Sequence, residues 1–151
     1  TITLTNRTGA TLAAGTEVLV GLVVWEVPAV YVTVPFPTMT TIAAGDMVTS
    51  LKLGIDGYIT HVQWVQYAAV TTSGDGMDLN LEIGSTNVTG GVVALTSAAC
   101  TPIGVVIHGT RITANNRITK ASLVSVEAAA GAGTFAEGSG ALVITVRPDP
   151  V

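Results

Sequence analysis

Apolar and polar residues alternate with a period of two in several stretches of the chain. Met77, Leu79, Leu81 and Ile83 fall on one side of the pattern, and Asp78, Asn80 and Glu82 on the other. Leu142, Ile144 and Val146 interleave with Ala141, Val143, Thr145 and Arg147, and Val124 and Val126 with Ser125 and Glu127. Such a period places successive side chains on opposite faces of a strand. Residues 58–67 read as one long strand with mixed faces. Turn-forming groups separate these runs: Asp56-Gly57, Ser73-Gly74-Asp75-Gly76, Gly90-Gly91, Ala114-Asn115-Asn116 and Gly138-Ser139-Gly140. The pattern predicts strands over 1–5, 17–25, 29–34, 46–53, 57–69, 77–84, 91–96, 103–108, 110–113, 121–128 and 140–147. Only 128–130 suggests a helix, and Gly131 and Gly133 end it at once. Thr, Val and Ile dominate, and β-branched side chains suit a pleated, half-buried surface. Many short strands between turns predict an all-β fold, an antiparallel sandwich or barrel.

The first 40 residues differ from the rest. Pro28, Pro35 and Pro37 lack the ladder donor, which confines proline to edges and extended arms. The expected division is an N-terminal arm or edge strands over 1–40 and a β-sandwich domain over 41–151. A proline-kinked strand within the same sandwich is the other reading of that segment. If it packs on a neighbour, Trp25, Val30, Tyr31 and Phe36 are the residues expected at the interface.

Charge changes the picture more than length does. The 151 residues suit a single domain. Only 11 % of them are charged, against about 25 % in typical globular chains. Mean hydropathy is +0.61. So few charges imply either a surface made polar by Thr, Ser, Asn and Gly, or one largely covered by other subunits. The net charge of −4 argues against nucleic acid as a partner, because Arg111, Arg117 and Lys120 are too few to form a basic stripe. The opening residues alternate like a strand and lack a basic region, so no secretory signal is expected. The apolar run over 18–34 is broken by Glu26 and Pro28, so no membrane span is expected.

The catalytic inventory is thin, and the chain is not expected to be an enzyme. His61 lies inside a predicted strand and His108 at the end of another; their spacing is not that of a paired metal ligand. They read as structural histidines, and no metal or other cofactor is expected. Cys100 is the single cysteine; its small neighbours suggest a buried thiol. There is no Gly-x-Ser-x-Gly elbow. Asp46, Asp56, Asp75, Asp78, Glu82 and Glu127 offer carboxylates that the sequence cannot pair. Asp75-Gly76-Met77-Asp78 falls short of a calcium loop and reads as a hairpin turn. Trp64 and Tyr58 are expected on one strand face, either as a sugar-binding platform or as anchors in a core or subunit interface.

The stretch 87–96, then Thr101-Pro102-Ile103-Gly104, Gly109-Thr110 and 112–116, resembles tailed-bacteriophage structural proteins. The run 135–144 is similar in kind. In particular it resembles capsid decoration, or cement, proteins, and the resemblance covers roughly 45–147. It implies a jelly-roll type of sandwich with an extended N-terminal arm. It also implies a homotrimer that clamps adjacent major capsid proteins on the outer surface of a virion, after synthesis in the host cytoplasm. The alternative is a receptor- or glycan-binding sandwich such as a phage fibre head.

Overall fold

The structure is a computed structural model that describes residues 28–37, 45–70, 76–129 and 138–150. These residues form strands and no helix. In chain order the strands are β1 (Val30–Phe36), β2 (Gly45–Leu51), β3 (Gly57–Ala68), β4 (Gly76–Ile83) and β5 (Thr86–Asn87). They continue with β6 (Val93–Thr96), β7 (Val106–His108), β8 (Arg117–Ile118), β9 (Val124–Ala129) and β10 (Ser139–Pro148). All pairings are antiparallel. Sheet one runs β1-β10-β3-β7, with β8 also on β3; sheet two runs β2-β9-β4-β5, with β6 also on β4.

One buried cluster joins the two sheets into a sandwich-like fold. Sheet one supplies Ile59, Val62, Trp64, Leu142, Ile144 and Val146; sheet two supplies Met77, Leu79, Leu81, Val124 and Val126. Those from β4, β9 and β10 are the residues that the alternation assigns to one face of each strand. Burial of each such side chain contributes about 1.5–3 kcal/mol relative to exposure, which fixes the register of each strand.

β3 breaks the alternation once, and the break has a cause. Thr145 of β10 stands opposite His61, and Val146 opposite Ile59, so Thr60 has no partner in the register. This is a β-bulge. Before it, Ile59 points inward; after it, Val62, Trp64 and Gln66 do. Tyr58 and Trp64 therefore lie on opposite faces, and the shared platform expected of them does not exist. Trp64 is fully buried.

Three other expectations need correction. No ladder forms over 110–113. Instead, single hydrogen bonds tie this stretch to 89–92, with Thr110 N–H donating to Val92 O and Thr113 N–H to Thr89 O. The strand expected from 103 begins only at Val106, because Gly104 adopts a left-handed φ of +80°. Ala128 and Ala129 belong to β9 rather than to a helix. The strands expected over 1–5 and 17–25 lie outside the described residues. Within the 1–40 segment, β1 is an edge strand of sheet one, pairing with β10 from Val30↔Val146 to Phe36↔Gly140. No helix among the described residues is long and apolar enough to cross a membrane.

Candidate functional site

The outer face of sheet one is built by register. One row sets Tyr31 of β1 beside Thr145 of β10 and His61 of β3. The next runs Thr33, Val143, Gln63 and His108, and a third runs Pro35, Ala141, Val65 and Val106. No strand of sheet one contains an Asp or Glu. Tyr31 (67 %), Tyr67 (53 %) and Val106 (41 %) are exposed.

The two histidines meet on this face. The bulge turns both Thr60 and His61 outward, and His108 stands one register pair away, opposite Gln63. Diagonal neighbours on a sheet are within reach of ring side chains. His61 Nε2 lies 3.4 Å from His108 Nδ1. The ring centroids are 5.6 Å apart with planes at 66°. Sequence spacing carries no sign of this approach, because it depends on one bulge and on the pairing of strands 47 residues apart. Among the described residues, no group of three or more His, Cys, Asp or Glu is placed to hold a metal ion.

The interface residues expected from the sequence separate. Tyr31 lies on the open face and Val30 is half-buried at the start of β1. Phe36 is 6 % exposed; its ring sits 5.5 Å from Trp64 in the core, where it is not available to a neighbour. Trp25 lies outside the described residues. The Trp64 indole N–H donates to Gln66 Oε1, and the Gln66 amide donates to Ala68 O, so both buried polar groups are satisfied. Gly140 lies under the Trp64 ring, where a Cβ would overlap the indole.

A second cluster closes one end of sheet one. Arg117 stacks over the Tyr58 ring at 4.9 Å, with Arg147 at 5.8 Å. Arg117 pairs with Asp149 at 2.7 Å and donates to Gly57 O. Lys120 N–H donates to Asp56 Oδ1 at 2.8 Å, and its ammonium lies 3.5 Å from Asp56 Oδ2. The Lys120 amide, assisted by the Lys120 and Arg117 charges, holds the Asp56 carboxyl below its ordinary value against the opposing effect of burial. The hydrogen bond that Arg117 donates to the Asp149 carboxylate is the chief cause that raises the Arg117 guanidinium. Arg117 and Lys120, two of the three cations in the basic run, thus clip the 109–123 connection to the start of β3. Cys100 is buried, as expected, and desolvation pushes its thiol up to about 11, which removes it as a nucleophile at neutral pH. Asp78 sits on β4, while Asp75 lies outside the described residues.

Sheet two presents the opposite chemistry. Its strands carry Asp46, Asp78, Glu82 and Glu127 and no Lys or Arg. Asp46 stands directly opposite Glu127. Compared with protein-family models, curated proteins and solved structures, the chain matches none.

Proposed function

We propose that this chain is a structural virion protein. In this reading it decorates and stabilises a tailed-phage capsid as a homotrimer, clamping adjacent major capsid proteins from the outer surface. The observation that carries the reading is the outer face of sheet one: no strand residue there is a carboxylate, and Tyr31, Tyr67 and Val106 stand exposed. Away from Arg117 and Arg147 at its charged end, such a face loses little solvation when another protein covers it. The fold supports the same reading. Counting β5 with β6 and β7 with β8 as interrupted strands leaves eight, ordered 1-8-3-6 and 2-7-4-5. That order supports the jelly-roll reading; jelly rolls are common among capsid domains and are also found in lectins. The trimer rests on the resemblance to decoration proteins and on the sparse charge. Within the 1–40 segment expected as an arm or edge strands, β1 supplies an edge strand of sheet one.

A glycan-binding function has less support, because its expected anchor, Trp64, is in the core. The direct test compares virions assembled with and without this chain. Binding only to the assembled shell adds to its stability by mass action, so virions lacking the chain should disrupt at lower temperature. Equal disruption temperatures would contradict the cement role.

A further inference from the structure

We infer that His61 and His108 form a two-imidazole site for a divalent transition-metal ion on the outer face of sheet one. The argument starts from a distance that suits a metal better than a hydrogen bond. A hydrogen bond from a ring N–H normally spans about 2.7–3.2 Å. The His61 Nε2 to His108 Nδ1 separation is 3.4 Å. Two nitrogens bound to a tetrahedral zinc ion, each about 2.0–2.1 Å from it, stand about 3.3–3.4 Å apart. The pair therefore already has the spacing of one edge of a zinc tetrahedron.

The donors are held by the sheet rather than by loops. His61 is fixed opposite Thr145, at the bulge that aims it across the face. His108 is fixed opposite Gln63, and the next residue is anchored by Gly109 N–H donating to Val62 O at 2.8 Å. Little chain has to be ordered when the ion arrives. Each neutral imidazole can keep its proton on the other nitrogen, His61 Nδ1 and His108 Nε2, leaving the facing pair free to ligate. Both residues are exposed in the single chain, so water, or a group from a copy covering this face, can fill the remaining positions. The register rows through the pair contain no carboxylate, which favours an imidazole-preferring ion such as zinc, nickel or copper over calcium or magnesium. This inference does not depend on the virion reading.

The test is a calorimetric titration of the intact chain with zinc chloride alone. The expected result is one zinc per chain, with binding lost in His61→Ala and also in His108→Ala. Histidine nitrogen spectra of the unmodified chain should show zinc perturbing His61 Nε2 and His108 Nδ1 while their partner nitrogens stay protonated. Both substitutions are at exposed positions, and unchanged thermal unfolding of the variants would establish that they remain folded. Absence of zinc binding to the unmodified chain, or wild-type binding in either variant, would overturn the site. If a variant unfolds, the nitrogen spectra decide: perturbation of other atoms, or of only one ring, overturns it equally.

Discussion

On sheet one the strand residues include His61, His108, Arg117 and Arg147 but no carboxylate; on sheet two they include Asp46, Asp78, Glu82 and Glu127 but no cation. Both sheets draw on the same alternation and the same core. The difference lies wholly in the residues between the buried positions. Thr33, Gln63, Val65 and Val143 fill them on sheet one, and Asp78, Asn80, Glu82 and Glu127 on sheet two. Folding needs the inward set and is nearly indifferent to the outward one. The outward set decides which face gives up its water. Carboxylates hold water strongly and cost most to cover without partners, so the acidic face suits solvent, and the carboxylate-free face, away from Arg117 and Arg147 at its one charged end, suits contact.

The largest expected effect sharpens the split between inner and outer positions on one strand. Trp64→Ala should cost about 3–5 kcal/mol in denaturant unfolding, whereas His61→Ala, three residues away on the outer face, should stay within about 0.5 kcal/mol. Comparable losses at both positions would mean that the outer face of β3 is part of the core. Cys100 marks the inner side in another way. With its thiol raised to about 11, it should resist alkylation at pH 8 until the chain unfolds.

A smaller effect separates the two outer faces. Glu127→Lys replaces one of two facing carboxylates with a cation beside Asp46, and should raise stability by roughly 0.2–1 kcal/mol at low salt. The gain should shrink as salt is added. A loss would show that the acidic face is tuned for something other than solvent.

Asp56 gives the smallest, pH-linked effect, at the charged end of sheet one. Its carboxyl is lowered chiefly by the Lys120 amide. A group with a depressed native value contributes stability above its unfolded value and loses it as pH falls through the native one. An NMR titration should place the Asp56 midpoint below 3.8. Lys120→Ala should raise the midpoint only partly, because the amide remains.

The strands with clean alternation were legible in the sequence. β4 spans Gly76–Ile83 where 77–84 is predicted, and β10 spans Ser139–Pro148 where 140–147 is predicted. The short pieces β5 and β8 carry too few residues for a period and went unpredicted. The bulge at Thr60 was illegible for a physical reason: an extra residue on β3 leaves no mark except a change of phase, which looks like a mixed-face strand. The same bulge separates Tyr58 from Trp64 and brings His61 to His108. The candidate site therefore came from pairing in the sheet, not from spacing along the chain. The charge split between the sheets was likewise hidden, since Asp46, Asp78, Glu82 and Glu127 become neighbours only through β2-β9-β4 pairing.

The most direct test of the account is solution mass across a dilution series for three proteins. The unmodified chain should be a trimer of about three times 15.3 kDa. Tyr31→Glu with Val106→Glu, which places negative charge on the carboxylate-free face, should be a folded monomer. Glu82→Lys with Glu127→Lys, on the acidic face, should remain a trimer. A monomeric unmodified chain at every concentration, or a trimer broken by the acidic-face pair and untouched by the other, would contradict the claim that the outer face of sheet one is the contact surface.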